Sequence, residues 1–348
     1  MAEAARVEPL KREDIVAAIE RRGPPRVPLV RAKWWGEGLV DQYGDALRPL
    51  DETYPEDVAF LVGLRGTDAP FESLSWYDKE AYAGRTHDSG VLDDWAGLDE
   101  YLAKLPDPEA PGLFDDFVGA AEEARAEGRY ILTGWWRLFF ERPWGIRGMA
   151  NLMMDYYLNP DQVHRLHRGL CDQYKALLRR AVREIRPDGF WTSDDLGNQR
   201  QLMMRPEQFR TFIKPYYEEI GSLLAEHGMH FWLHSCGNNT EVLGDLAEAG
   251  VDVFHPVQKH TMAEAAVARE FGERLTFLAG IDVQHVLQER GPEGVREEVR
   301  LLVDTFDRPD GGMMLGAGNG IVAGTPLENI EAFLDEAVRY GTAHRQRG

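Results

Sequence analysis

The stretch Met229-His230-Phe231-Trp232-Leu233-His234-Ser235-Cys236-Gly237 joins a short apolar run to a turn with two reactive side chains. The run Met229–Leu233 predicts a buried strand. In an extended chain, residues i and i+2 point to one side, so His234 and Cys236 are predicted to face one spot at the end of that strand. Imidazole and thiolate are both zinc ligands, and Gly237 allows a tight turn beside them. The pair either begins a metal site or is a buried histidine beside a buried thiol.

The same strand-and-helix unit is found along much of the chain. Apolar runs with strand character alternate with segments whose apolar residues recur at helical spacing. Eight strands with helical crossovers predict an α/β fold, a single (β/α)8 TIM-type barrel. The predicted strands are Val27–Val30, Val58–Leu64, Tyr130–Thr133, Gly189–Thr192, Met229–Leu233, Val251–Phe254, Leu275–Leu278 and Gly312–Leu315. The predicted helices are Pro160–Ile185, Pro206–His227, Asn239–Ala249, Thr261–Phe271, Gly294–Thr305 and Pro326–Tyr340.

Residues 66–117 form a long connection that is rich in Asp, Gly, Pro and aromatic residues. Connections in a barrel are usually short, so this segment predicts an elaborated N-terminal loop region. It is expected to be a lid or insertion within one domain that spans residues 1–348. A packed surface excursion without a role in binding is the alternative.

The composition limits the classes of partner. The chain has 348 residues, 43% of them hydrophobic, which is ample for a large core, and its net charge is −20. Nucleic acids and anionic membranes attract basic proteins, so neither is an expected partner. Two cysteines exclude a disulfide framework, and the charged segment Met1–Glu20 is unlike a signal peptide. We expect a cytoplasmic protein with no membrane span, and a homo-oligomer is left open.

Polar residues follow nearly every predicted strand, where barrel enzymes place their active sites, although helix capping explains some of them. Asp194 and Asp195 are candidate acid–base groups or metal ligands, or caps of the next turn. Neighbouring residues on a strand point in opposite directions, so only one of the two is expected to face the site. The other candidate lining residues are Trp34, Trp135, Trp136, Gln199, His255, Gln258, Asp282 and Asn319.

Several motifs in the C-terminal half resemble the uroporphyrinogen decarboxylase superfamily, in the branch of methylcobalamin:coenzyme M methyltransferases and corrinoid-linked demethylation proteins. The N-terminal half matches more loosely. The motifs are Ser193-Asp194-Asp195-Leu196-Gly197-Asn198-Gln199, Pro206-Glu207-Gln208-Phe209, Lys214-Pro215-Tyr216, His234-Ser235-Cys236-Gly237, Gly250-Val251-Asp252-Val253, Gly280-Ile281-Asp282 and Thr325-Pro326-Leu327-Glu328-Asn329-Ile330.

This resemblance implies a single (β/α)8 barrel and a zinc site. In the methyltransferase branch a histidine and a cysteine in an H-x-C motif hold zinc, and His234 and Cys236 match them. A further cysteine is expected before the T-P-x-E-N motif, but the aligned residue here is Asn319. The remaining ligands would then come from Asp195, Gln199 or His255, unless zinc is lost or replaced.

Three functions remain open at this point. The first is a zinc-dependent methyltransferase that moves a methyl group between a small substrate, a thiol or a methoxy or methylated compound, and a corrinoid such as methylcobalamin on a partner protein. The second is a metal-independent decarboxylase or lyase that uses Asp194 or Asp195. Arg31 and Lys33 lie in the region where the decarboxylases bind their acidic tetrapyrrole, but the arginine-rich opening motif is missing. The third is a non-catalytic corrinoid or tetrapyrrole-binding protein.

Overall fold

Seven parallel strands form one curled sheet in a computed structural model, which describes residues 6–31, 35–64 and 90–347. Each strand pairs with the next strand along the chain. This order confirms the predicted TIM-type α/β fold. The strands are β1 (Val58–Val62), β2 (Tyr130–Gly134), β3 (Gly189–Ser193), β4 (His230–His234), β5 (Val253–His255), β6 (Thr276–Ile281) and β7 (Met313–Ala317).

Helices connect successive strands, and several of them pack directly on the sheet. In the described part of the chain the α-helices are Arg12–Ile19, Leu39–Tyr43, Arg48–Thr53, Leu98–Ala103, Asp115–Ala126, Glu141–Arg147, Met149–Leu158, Pro160–Glu184, Pro206–Gln208, Lys214–Glu226, Leu243–Glu248, Glu264–Phe271, Val286–Glu289, Gly291–Phe306 and Leu327–Arg347. Within the described ranges, no helix has the length and apolar character needed to cross a membrane.

One predicted helix is interrupted. The periodicity of residues 206–227 predicts a continuous helix, whereas the structure has a π-helical turn at Phe209–Ile213 between two α-helical segments. Pro215 is the second residue of the α-helical segment that follows. Proline has no N–H to donate, and its ring clashes with the carbonyl four residues earlier, which here belongs to Thr211. The wider turn lies where an α-helical hydrogen bond cannot form.

The eighth position of the barrel is filled by residues 28–30. Leu29 forms a parallel bridge with Leu315 of β7, and the Val30 N–H donates to the Leu315 carbonyl at 2.8 Å. On the other side the Asp57 N–H, just before β1, donates to the Leu29 carbonyl at 3.1 Å. The predicted strand Val27–Val30 is therefore present as a single bridge. Pro28 has no N–H for a ladder, which limits the pairing here.

Asp57 ties three separate segments together at this closure. Its carboxylate is fully buried and accepts the backbone N–H groups of Leu10 (2.8 Å) and Leu29 (2.6 Å). It also accepts two bonds from the Arg26 guanidinium, at 2.6 and 2.7 Å. A bidentate guanidinium–carboxylate pair is among the stronger hydrogen-bonded contacts in proteins. This carboxylate holds residues 26–29 against the beginning of β1.

The barrel interior is filled by aromatic and aliphatic side chains. Trp191 of β3 and Trp232 of β4 are fully buried there, together with Leu278 and Met314. The helix Arg12–Ile19 buries its apolar face in the same cluster. Because side chains alternate along a strand, inward-facing Trp191 and Trp232 place residues 193, 195, 234 and 236 on the inner side of the carboxyl-terminal rim.

Replacing Asp57 with asparagine is expected to lower the free energy of unfolding by about 3–5 kcal/mol, because the Arg26 charge stays buried without its counterion. Urea unfolding followed by circular dichroism measures the loss. Glu100→Gln is the matched control, since Glu100 pairs with Lys104 in solvent and its loss should leave the urea midpoint nearly unchanged. Equal effects of the two substitutions would contradict the assigned role of Asp57.

Candidate metal centre

Three donor atoms converge at the carboxyl ends of β3 and β4. The Cys236 Sγ lies 3.3 Å from His234 Nε2, and His234 Nε2 lies 3.6 Å from an Asp195 carboxylate oxygen. One atom from each of these residues lies within 4.8 Å of the others. The same Asp195 oxygen accepts the Cys236 N–H at 2.8 Å, which fixes the loop beside the carboxylate. Sulfur, nitrogen and oxygen donors therefore face one point.

These separations suit a zinc ion. With zinc–sulfur bonds of about 2.3 Å and zinc–nitrogen or zinc–oxygen bonds of about 2.0–2.2 Å, tetrahedral ligand atoms lie roughly 3.3–3.6 Å apart. The two measured separations fall in that range. Catalytic zinc sites use three protein ligands and leave the fourth position for water or substrate. Asp195, His234 and Cys236 form a donor set of that kind.

A chain of hydrogen bonds determines which nitrogen of His234 has the proton. His255 Nε2 lies 2.9 Å from the Ala317 carbonyl, which can only accept, so this nitrogen is protonated. His255 Nδ1 then accepts from His234 Nδ1, 2.8 Å away. The proton of neutral His234 is thereby placed on Nδ1, and the lone pair of its Nε2 points toward Cys236 and Asp195. Ligating histidines commonly have their second nitrogen fixed in this way.

Burial keeps both imidazoles neutral. It lowers the pKa of His234 to about 3. The pKa of His255 lies well below its ordinary value, through burial and through neighbouring His234. Burial also raises the pKa of the Asp195 carboxyl, against one backbone hydrogen bond from Cys236. Burial and the Asp195 carboxylate raise the pKa of the Cys236 thiol. Without a cation this cluster favours a thiol that donates to His234.

The loop that follows β4 is held closely around Cys236. The Asn319 side-chain amide donates to Cys236 Sγ at 3.5 Å, and the Gln258 side chain accepts the Gly237 N–H at 2.7 Å. Gly237 has a φ of +83°, and a Cβ there would lie 2.3 Å from the Gly197 carbonyl carbon. Only glycine fits this close approach. Asn319 and Gln258, both predicted from the sequence as lining residues, lie directly beside the cluster.

Asp194 points away from the cluster. It is fully buried, and its carboxylate accepts the backbone N–H groups of Phe139, Phe140 and Glu141 and the Tyr217 hydroxyl. The predicted opposition of Asp194 and Asp195 is therefore what the structure has. Asp194 holds the loop before the helix Glu141–Arg147, and these contacts do not support the acid–base role predicted for it.

The tryptophans predicted as lining residues lie in different parts of the structure. Trp136 is 40% exposed, and its ring lies edge-on to Trp191, which in turn contacts the rings of His234 and His255. Trp135 is instead buried on the outer side of the sheet against Tyr174 and Phe190, so it does not line the cluster. Trp34 lies outside the described residues.

Two further predicted lining residues lie at the rim without contacting the cluster. Gln199 is exposed in the loop after β3. Asp282, after β6, accepts the backbone N–H groups of Gln284 and His285 at 2.8 and 3.1 Å. These bonds hold the turn at residues 283–285, which precedes the helix Val286–Glu289. In the segment 66–117, the part from residue 90 packs against the helix Glu141–Arg147 through the Leu92 N–H and the Ile146 carbonyl, and a lid role stays a prediction.

Glu141 is a site residue that the sequence analysis missed. It is buried, and its carboxyl accepts the Ser193 hydroxyl at 2.7 Å. Burial and the carboxylates of Asp195 and Asp194 raise the pKa of Glu141 to about 8. No motif marks this residue, because it lies in a helix after β2 and approaches the cluster only through the fold.

The fold is a parallel α/β barrel with candidate metal ligands at the carboxyl ends of its strands, where barrel enzymes have their active sites. Residues 144–340 match the family uroporphyrinogen decarboxylase (URO-D), and this match covers more than half of the chain. The chain belongs to the uroporphyrinogen decarboxylase family, as the motifs indicated.

Known relatives agree with the branch that the motifs resemble. A methylcobamide:CoM methyltransferase of Methanosarcina acetivorans is 26% identical over 170 residues, which are 49% of this chain and 47% of the relative. A methylated-thiol–coenzyme M methyltransferase of Methanosarcina mazei is 24% identical over 132 residues, 38% of this chain and 33% of the relative. The chain thus spans about half the length, or less, of these curated relatives.

A solved structure confirms the fold. It is a methyltransferase from Methanosarcina mazei that superimposes with a TM-score of 0.63 at 17% identity. The match covers 95% of this chain and 98% of the other. At this identity the likeness establishes the shared architecture.

The raised pKa of Glu141 predicts a pH-dependent stability in the metal-free protein. The folded state holds this proton to about pH 8, whereas the ordinary value is 4.5, so folding binds a proton and stability falls as the pH rises from about 4.5 to about 8. Glu141→Gln should weaken this dependence, of which Asp194 and Asp195 retain a part because burial also raises their pKa values, and it should be more stable than the parent at pH 8 by at least about 1 kcal/mol. Urea midpoints at pH 5 and pH 8 test it. Parallel stability profiles of parent and variant would refute it.

Proposed function

We propose that this chain is a zinc-dependent methyltransferase that moves a methyl group between a small substrate and a corrinoid on a partner protein. The observation that supports it most directly is the convergence of Asp195, His234 and Cys236 with the lone pair of His234 Nε2 aimed into the cluster. The names of the curated relatives, which are methyltransferases of methylcobamide or of methylated thiols, supply the reaction class.

The contacts suggest a separate role for each residue of the proposed site. Asp195, His234 and Cys236 would hold the zinc ion, which when bound supplies Lewis acidity toward a thiol or an oxygen of the substrate. His255 keeps the proton of His234 on Nδ1. The Asn319 amide donates to the Cys236 sulfur and stabilises negative charge on it. Trp136 and Trp191 form an apolar wall, which would exclude water from the surroundings of a transferred methyl group.

The substrate is proposed to be a small thiol or a methoxy or methylated compound, with methylcobalamin or a related corrinoid on a partner protein as the other methyl carrier. The open rim at the carboxyl ends of the strands is where a second protein would present such a group.

The contacts favour methyl transfer over the decarboxylase alternative. Arg31, the described basic residue in the region where decarboxylases bind their acidic tetrapyrrole, pairs with Asp51 at 2.6 Å and lies 3.8 Å from Glu56. Two carboxylates thus neutralise this guanidinium, which is a poor receptor for a polycarboxylate. The Asp194 carboxylate, the other group that this alternative would use, is occupied by backbone N–H groups.

Zinc content tests the metal. The purified parent protein, loaded with zinc and freed of excess, is expected to retain the ion. Cys236→Ala is expected to bind zinc at this site at least a hundredfold more weakly, because one of three ligands is removed. Cys171→Ala is the matched control, since Cys171 is buried in the helix Pro160–Glu184 away from the cluster. Unchanged zinc affinity in Cys236→Ala would remove Cys236 from the proposed ligands.

The hydrogen-bond chain gives a sharper test of His234. His255→Leu removes the acceptor of His234 Nδ1–H and should weaken zinc binding about 10–100-fold. His255→Gln retains both an acceptor for His234 and a donor for the Ala317 carbonyl, so it should bind zinc nearly as the parent does. Competition with a chromogenic chelator measures both constants. Equal loss in the two variants would indicate a packing effect instead.

Methyl transfer itself is measured with methylcobalamin and a panel of small thiols, followed by the absorbance of the corrinoid. The zinc-loaded parent is expected to demethylate methylcobalamin faster than its metal-free form and at least a hundredfold faster than Cys236→Ala. A metal-free parent that is inactive here but releases carbon dioxide from a carboxylated substrate would favour the decarboxylase alternative.

A further inference from the structure

A second group of metal-ligand side chains lies at the rim, on the loops after β5 and β6. His285 Nδ1 lies 3.1 Å from an Asp282 carboxylate oxygen, and His260 Nε2 lies 3.6 Å from the same oxygen. One donor atom from each residue lies within 4.8 Å of the others. The two imidazole rings meet edge to face with their centroids 5.6 Å apart. These three residues share no member with the cluster at Cys236.

The carboxylate is rigidly placed and the imidazoles are accessible. One Asp282 oxygen accepts the backbone N–H groups of Gln284 and His285, which directs the other oxygen toward the two imidazoles. The Asp282 side chain is 7% exposed, whereas those of His260 and His285 are 65% and 59% exposed. An ion from solvent could therefore reach the histidines against a fixed anionic oxygen.

The backbone also brings His260 to this point. The Thr261 N–H donates to the Gln258 carbonyl at 3.2 Å, and His260 is the third residue of that turn, with a φ of +67°. Glycine or asparagine is the usual residue at such a position, since a Cβ is disfavoured there. A histidine held in the left-handed region beside an aspartate and a second histidine is the kind of strained residue that occurs at ligand-binding sites.

His285 Nδ1 is within hydrogen-bond distance of the Asp282 oxygen, and the same spacing also suits two ligands of one ion. Tetrahedral nitrogen and oxygen ligands of zinc lie roughly 3.3 Å apart, since each bond is about 2.0–2.2 Å. The measured 3.1 and 3.6 Å lie on either side of that value. At 3.6 Å His260 is beyond hydrogen-bond distance from the Asp282 oxygen. Two imidazoles and one carboxylate, with open positions for water, are ligands typical of zinc and of neighbouring divalent transition metals.

We propose that His260, Asp282 and His285 form a second metal site that binds a zinc-class divalent ion. The site does not depend on the proposed methyltransferase function. It would join the loops after β5 and β6. The first of these loops also contacts the loop of Cys236, through Gln258 to the Gly237 N–H at 2.7 Å and through the Asn238 side-chain amide to the Thr261 carbonyl at 2.8 Å. An ion at His260 therefore constrains the turn that braces the loop of Cys236.

Zinc stoichiometry in two backgrounds tests this site independently of the first. The Cys236→Ala protein, dialysed against zinc, is expected to retain one ion per chain, which the added pair His260→Ala and His285→Ala removes. Asp282→Asn, which keeps an acceptor oxygen for the turn, should weaken binding at least tenfold. His227→Ala is the control, because His227 is exposed and lies elsewhere. Retention of the ion after loss of both histidines would overturn the proposal, as would its absence from Cys236→Ala.

Cobalt distinguishes the two sites by their ligands. Cobalt bound to Cys236→Ala should give only the visible bands of nitrogen and oxygen coordination, and zinc should raise the melting temperature of this variant but not that of the variant lacking both histidines. Cobalt in the parent protein should add a thiolate charge-transfer band. If that band appears but Cys236→Ala binds no cobalt, the second site is refuted while the first stands. If Cys236→Ala binds cobalt and the parent lacks the band, the reverse holds.

Discussion

The buried pair of Arg26 and Asp57 closes the barrel, and the rim depends on that closure. Asp57 fastens residues 26–29 to the beginning of β1, while Leu29 pairs with β7 on its other side. Residues 26–29 thereby connect β7 to β1. The Ala317 carbonyl and the Asn319 amide, which contact His255 and Cys236, both lie at the end of β7. A carboxylate at the amino-terminal end of β1 thus supports the geometry at the opposite end of the barrel.

Parallel register then turns a linear pattern into a cluster. Ser193 of β3, His234 of β4 and His255 of β5 lie side by side in the sheet, so their side chains form one row across the rim. Hydrogen bonds along this row also determine which nitrogen of each histidine has the proton. Because the Ala317 carbonyl can only accept, each imidazole in turn has one possible tautomer when neutral, and burial keeps both neutral. A main-chain oxygen of β7 therefore determines that the His234 nitrogen facing Cys236, Nε2, has a lone pair and no proton.

Much of this was predictable because it depends on local periodicity. The predicted strands overlap all of the observed strands β1 to β7, and the alternation rule separated Asp194 from Asp195. The positions that the sequence did not predict depend on contacts between distant segments. Trp135 follows β2 as directly as the rim residues follow their strands, yet its ring turns outward because Tyr174 and Phe190 form an apolar layer there. Glu141 enters the site only because Ser193 and the Asp194-bound loop hold its helix near.

The replacement of an expected cysteine by Asn319 changes the chemistry of the proposed metal site in a definite direction. A neutral histidine with two thiolates would give the ion two negative charges, and His234 with the Cys236 thiolate and the Asp195 carboxylate gives the same number. A carboxylate oxygen is a harder and weaker electron donor than a thiolate, so the ion would remain a stronger Lewis acid. Asn319 contributes a hydrogen bond to the Cys236 sulfur instead, which withdraws further electron density from it. With zinc bound, the substitution would therefore preserve the ligand charge and leave the ion a stronger Lewis acid toward a bound thiol or oxygen.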